Sequence, residues 1–284
     1  MIRKAVIAAA GNGTRFLPVT KIYPKELLPV LNKPILHYLV EELLGAGIDQ
    51  ICLIHRPDND SIQRYFLPDK SFKAVLRKAG KLAWIAELEK IQAAKIKWTF
   101  IPQSRKVQYG SGTPVLLAKG FVKKNPFVYF YGDDLVLERK SGSFLSSLIK
   151  IFERYQADEV MAVQEVPWDQ VNRYGSVRYR QNSRIPYQIE TIEEGLPAGR
   201  APSNMVQFGR FVLSPGVIPV LEKQFPRRAA ASSTKKELLF TDTGKILAKE
   251  GVVIAWPIKK GKWLTTGDPE RWLQTNLEFQ KFFS

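Results

Sequence analysis

Cysteine is nearly absent: Cys52 stands alone in 284 residues. A single thiol closes no internal disulfide, so a reducing compartment, the cytoplasm, is expected. No apolar run approaches the roughly 20 residues that cross a membrane, so no membrane partner is expected. Internal repeats, long linkers and low-complexity stretches are also missing, which leaves one domain over 1–284 as the simplest organisation. Acid is in deficit, with 27 Asp and Glu against 43 Lys and Arg, a net charge of +16. That excess suits solubility, a polyanionic substrate, a nucleic acid or an acidic membrane surface. The bases are spread over Lys70 to Lys97, Lys119 to Lys124, Arg227-Arg228, Lys235-Lys236, Lys259-Lys260 and Lys262. No nucleic-acid motif organises them, so specific nucleic-acid binding is not expected.

The opening Met1-Ile2-Arg3-Lys4, followed by Ala5 to Ala10, imitates a signal peptide. Its apolar run is shorter than an h-region and glycines follow at once, so a buried first strand over Arg3 to Ala9 is expected. Pro34 to Gly45 carries Ile35, Leu36, Leu39, Val40, Leu43 and Leu44 on one helical stripe. Gln50 to His55 is a second apolar strand, and the strand–loop–helix–strand order points to a parallel α/β sheet. Further strands are expected at Trp98–Ile101, Pro126–Tyr131, Glu159–Val166, Val206–Leu213 and Val252–Ile258. Helices are expected around Leu82–Ala94, Thr113–Val122, Phe144–Tyr155, Pro215–Glu222, Thr241–Ala248 and Asp268–Phe282. Between Tyr174 and Ile192 short alternating strands suggest hairpins at a sheet edge. The later part reads as an added substrate-binding lobe.

Two phosphate-binding motifs are lacking. G-x-x-x-x-G-K-[ST] does not occur, and the candidate G-x-G-x-x-G has Phe16 at its last position. What stands after the first strand is Ala9-Ala10-Gly11-Asn12-Gly13-Thr14-Arg15-Phe16-Leu17-Pro18, continuing to Pro24-Lys25-Glu26-Leu27-Leu28-Pro29. A glycine turn after a buried strand offers backbone N–H groups to a phosphate without obstructing β-carbons. Arg15 adds a fixed fork of donors and Lys25 a point charge. Asp133, after the Pro126–Tyr131 strand, is either a hard-metal ligand or a turn-forming Asp.

This segment resembles the signature of the sugar nucleotidyltransferases, A-G-x-G-T-R-x-x-P-x-[ST]-x-x-x-P-K. It is most similar to that of the bacterial UTP–glucose-1-phosphate uridylyltransferases. Gly132-Asp133-Asp134-Leu135, Tyr174-Gly175, Ala201-Pro202-Ser203-Asn204, Gly209 to Leu213 and Asn276 to Phe279 extend the likeness along the chain. The resemblance implies a Rossmann-like, mixed and mainly parallel sheet flanked by helices, with a small β-rich sugar-binding lobe. Residues 1–165 would bind nucleotide, and 166–284 would hold the sugar lobe and the closing helix. It implies attack of a sugar 1-phosphate on the α-phosphate of UTP, with Mg²⁺ as cofactor and pyrophosphate leaving. Arg15 and Lys25 would be catalytic. Ala10, Gly11, Gly13, Thr14, Glu26, Gln103 and Gly110 would bind the nucleotide, Gly175 and Glu194 the sugar, and Asp133 the metal. A homo-oligomer is a further implication.

Three positions depart from the family pattern. A lysine that would hold the sugar's phosphate is replaced by Gly195, for which Arg200 or Lys262 are the candidate substitutes. A second metal-binding Asp is replaced by Thr265, with Asp268 or Asp134 nearby. Gly112-Thr113 replaces a Gly-His pair. These departures leave open a silent sugar-nucleotide-binding homologue, or a sister enzyme using another sugar or base.

Overall fold

The computed structural model describes residues 1–93, 95–229 and 237–284, with backbone alone at 90–93 and 226–229. Ala94, Lys235 and Lys236, and the side chains of Arg227 and Arg228, therefore lie outside the described residues.

The chain opens with β1 (Lys4–Ala9), followed by single 3-10 turns at Thr14–Phe16, Val19–Lys21 and Lys25–Leu27. A ribbon of β2 (Pro29–Val30) and β3 (Lys33–Pro34) leads into α1 (Ile35–Gly45) and β4 (Gln50–His55). Helices α2 (Ser61–Phe66), α3 (Lys70–Lys78) and α4 (Leu82–Ala93) precede β5 (Lys97–Pro102). Then come α5 (Thr113–Leu117), α6 (Lys119–Val122), β6 (Phe127–Tyr131), β7 (Asp134–Leu137), α7 (Ser143–Tyr155) and β8 (Glu159–Glu165). A 3-10 segment, Trp168–Arg173, leads to β9 (Gly175–Tyr179), β10 (Ile189–Glu194) and β11 (Met205–Leu213). The rest is α8 (Val217–Ala229), α9 (Phe240–Glu250), β12 (Val253–Pro257), β13 (Lys262–Thr265) and α10 (Pro269–Phe283).

Nine strands form one mixed sheet in the order β10-β9-β11-β6-β1-β4-β5, with β8 and then β12 branching from β11. Strands β6, β1, β4 and β5 are parallel, while β11 runs antiparallel to β6 and to β8. This is a Rossmann-like, mixed sheet of the kind the resemblance implied, and the β9–β10 hairpin lies at the sheet edge as the alternation suggested.

The period-2 alternation of β1 sends Ala5, Ile7 and Ala9 to one apolar cluster and Val6 to the other. The first cluster is closed by Leu36, Leu39 and Leu43 of α1 and Leu145 and Leu148 of α7. The second is closed by Val115 of α5, Val122 of α6, Leu221 of α8 and Phe240 of α9. A parallel sheet covered on both faces has continuous apolar strands, which is how β1 and β4 read.

Two helical expectations change. The helix expected over Thr113–Val122 is broken at Ala118, whose φ −80, ψ 1 lies outside helical geometry. The helix expected at Pro215–Glu222 starts at Val217 and runs on to Ala229.

A buried ion pair ties two elements of the scaffold. Arg210 on β11 is fully buried and grips Glu42 of α1, with Nε donating to Oε1 at 2.9 Å and Nη2 to Oε2 at 2.8 Å. Its guanidinium covers Phe130 at 3.8 Å from the ring centroid, and Nη2 also donates to the Asp134 carbonyl at 2.7 Å.

Candidate active site

A cavity of about 860 Å³ opens at the carboxyl ends of β1, β5 and β6, where ligands of open α/β sheets bind. Ala10, Gly11, Arg15, Lys25, Glu26, Gln103, Gly110, Asp133, Gly175 and Glu194 all line it. Gly13 and Thr14 are outside the lining. Gly13 takes φ +61, and a β-carbon there would meet Thr20 Cγ2 at 2.8 Å, so its glycine serves the turn. Thr20 Oγ1 closes that turn by donating to the Gly13 carbonyl at 2.7 Å.

Charge concentrates where β6 ends. Lys25 Nζ lies 2.5 Å from Asp133 Oδ2. Asp133 Oδ2, Thr265 Oγ1 and Arg15 Nη1 converge, lying 3.5, 3.5 and 3.6 Å from the point a Gly267 β-carbon would occupy. Burial works against the Lys25 ammonium, but Asp133 and Glu26 outweigh it and raise its pKa. Burial likewise works against the Asp133 carboxylate, yet Lys25 holds it below the usual range, so both stay ionised. Burial pushes Glu26 up to about 7 against the pull of Lys25, and its Oε2 has no partner.

The substitutes considered for the missing family groups are committed elsewhere. Burial and the neighbouring Asp133 push Asp134 up to about 6, and its Oδ2 accepts from the Gly209 N–H at 2.8 Å. Asp268 caps α10, accepting from the Arg271 N–H at 3.0 Å. Lys262 pairs with Glu278 at 3.1 Å, and neither it nor Arg200 lines the cavity. Gly195 takes φ +69 and brings no cation.

Gln103 follows β5 with its side-chain oxygen buried and unpartnered. Gly110 takes φ +139, and a β-carbon there would strike the Leu238 backbone at 2.4 Å. Its glycine thus lets two chain segments cross, a reason that sequence alone did not suggest. Around Glu194, Thr241 Oγ1 donates to Glu194 Oε2 at 2.6 Å and accepts from Gln207 Nε2 at 2.7 Å. Burial raises the Glu194 carboxyl, and the Gln207 side-chain oxygen is buried without a partner. Three buried acceptors on residues of this wall, on Glu26, Gln103 and Gln207, therefore have no partner among the described residues.

Sequence reasoning missed Tyr109, Tyr131, Arg173, Gln207 and Arg271, all of which line the cavity. Arg271 lies on the closing helix, where the sequence carries no signal that sets it apart. Only the docking of α10 beside β13 turns it inward.

A family model described as nucleotidyl transferase matches residues 4–281. A UTP–glucose-1-phosphate uridylyltransferase of Pseudomonas aeruginosa is 30% identical, covering 100% of this chain and 98% of that protein. One from Streptococcus pneumoniae serotype 4 is 34% identical, covering 98% and 90%. Among solved structures, UDP-glucose pyrophosphorylase complexed with UDP-glucose superposes with TM-score 0.83 at 28% identity, covering 99% of both chains. A UTP-bound UGPase from Acinetobacter baumannii gives TM-score 0.83 at 31% identity, covering 98% and 93%.

Proposed function

The chain belongs to the nucleotidyl transferase family, and from that premise we propose that it joins UTP to glucose 1-phosphate, forming UDP-glucose and pyrophosphate. The observation that carries this is the meeting of Arg15, Asp133 and Thr265 around Gly267, with Lys25 on Asp133. In-line transfer between phosphates asks chiefly for positioning and neutralised charge. A phosphate oxygen of the sugar phosphate bonds to the UTP α-phosphorus, and the bond to the bridging oxygen of the pyrophosphate breaks. Arg15 and Lys25 bind the triphosphate and hold the charge that develops on it. The backbone at Ala10 and Gly11 lies along the nucleotide, and Gln103 offers its free oxygen to the base N–H.

The donor set suits Mg²⁺. Asp133 is an ionised carboxylate, and this ion commonly takes one or two carboxylates, with waters and substrate phosphates filling the rest of its shell. When bound, Mg²⁺ supplies neutralisation of phosphate charge. The residues up to about 165 serve the nucleotide, and Gly175 and Glu194 in the remainder take the sugar hydroxyls.

Pyrophosphate release with a panel of nucleotides and sugar 1-phosphates tests this reading. UTP with glucose 1-phosphate should be the best pair. Arg15→Ala and Asp133→Ala should each lower turnover at least ~100-fold, the scale for losing a preorganised charge stabiliser. Near-normal rates in both variants would remove the assignment. Thr265, in place of a carboxylate, favours one rival, a silent sugar-nucleotide binder. UDP-glucose binding without turnover for any pair would select that rival.

A further inference from the structure

The proposed function brings two phosphate-bearing substrates into one cavity, and this inference rests on that reading. The wall is rich in carboxylates, with Glu26, Asp133, Asp134, Glu194, Glu237 and Asp268 all facing it. A sugar phosphate dianion entering there needs its own cation. Four basic side chains line the cavity, and two are engaged on the triphosphate side: Lys25 on Asp133, and Arg15 at 3.5 Å from the Gly267 carbonyl. The other two are Arg173, exposed at the rim, and Arg271.

Arg271 is held in the first turn of α10. Its Nη1 lies 3.5 Å from Asp268 Oδ2, and its guanidinium sits 5.7 Å from the centroid of the Tyr174 ring. The side chain is 19% exposed, and Nη2 is buried with no hydrogen-bond partner. A buried donor on a permanently charged group is costly when left unmade, and Nη2 gains a partner once the guanidinium turns toward an acceptor in the cavity that Arg271 lines. Tyr174 directly precedes Gly175, the residue opposite Glu194 in the β9–β10 register. Arg15 and Asp268 act electrostatically on the same tyrosine. Arg271 thus stands between the sugar side and the triphosphate side, where the attacking phosphate must lie.

We propose that Arg271 binds the phosphate of the sugar 1-phosphate, turning its guanidinium so that Nη2 donates to it, while Asp268 and Tyr174 keep the side chain at the cavity wall. A packing role alone would need neither the charge nor the fork.

Calorimetric titration of glucose 1-phosphate into the full-length protein, with the nucleotide site filled by α,β-methylene-UTP, tests this directly. Arg271→Gln should weaken glucose 1-phosphate roughly ten- to a hundredfold, the loss expected for charge-assisted hydrogen bonds. UTP binding should change by less than about twofold, since that site is built from other residues. In turnover, KM for glucose 1-phosphate should rise while KM for UTP holds. Arg271→Lys should recover part of the affinity, and it decides the matter if the glutamine variant does not fold. Unchanged glucose 1-phosphate affinity in Arg271→Gln would overturn the proposal while wild-type turnover kept the proposed function. Arg271-dependent binding without turnover in the wild type would do the reverse. Failure of the wild type to bind any sugar 1-phosphate would overturn both.

Discussion

Glu159 opens β8 with its Oε2 buried and unpartnered, 3.3 Å from where a Gly244 β-carbon on α9 would stand. Burial, with Asp158 adding to it, pushes its pKa to about 8. An unfolded Glu titrates near ~4.3, so the folded form holds a proton that the unfolded chain has lost. Its contribution is fully present below that value and declines as pH rises to about 8, by at most ~1.4 kcal/mol per pH unit. Glu159→Gln cannot titrate, so its stability should gain on wild type between pH 5 and 8. Urea midpoints at three pH values would check this, and parallel curves would sink it. Thr265 carries the second residue-scale prediction. Its Oγ1 shares the Gly267 neighbourhood with Asp133, so Thr265→Asp should add a hard ligand and lower the Mg²⁺ needed for half activity. An unchanged Mg²⁺ requirement would mean that the waters and phosphates already suffice. At this scale Arg15 and Lys25 were legible beside the glycine turn, because phosphate chemistry narrows which residue types can stand there, and Asp133 joined them through the family resemblance. Arg271 and Gln207 were not, because their direction depends on packing rather than on neighbours in sequence.

Strands β7 and β13 pair antiparallel, with Thr265 opposite Asp134 and Lys262 opposite Leu137. Neither was legible. Each has four residues, too short for a firm period, and the pairing joins distant parts of the chain. The long apolar strands and α1 were legible because burial on one or both faces imposes a pattern. The basic stretch before β5 proved to be two helices, α3 and α4, divided near Gly80 at φ +69. Distant elements are tied by the Arg210–Glu42 pair, which joins β11 to α1 and supports the Asp134 carbonyl beside the cavity. Removing one partner leaves a buried charge alone, so Arg210→Ala should cost ~3–5 kcal/mol in guanidinium unfolding. Replacing both, as Arg210→Met with Glu42→Leu, should restore much of that loss. A single variant that lost less than ~1 kcal/mol would show the lock to be dispensable.

At the scale of the whole molecule, the net charge of +16 has no counterpart in the cavity wall, which is rich in acid. The excess base lies largely on outer surfaces, as on α3, whose Lys70 and Lys78 are exposed and are not part of the cavity lining. Such a field cannot discriminate between substrates, but it can draw a triphosphate toward the mouth, where Arg173 is exposed. Screening sets the range of that attraction, which contracts from ~30 Å at 0.01 M salt to ~8 Å at 0.15 M. Over that interval kcat/KM for UTP should fall several-fold through KM, with kcat steady, because the bound complex lies within the cavity and is screened less. The double variant Lys70→Glu with Lys78→Glu changes the far field and leaves the cavity untouched, so it should flatten the salt profile without altering kcat. If the wild-type profile were already flat, or the variant matched it, steering would be excluded and the charge would serve solubility alone.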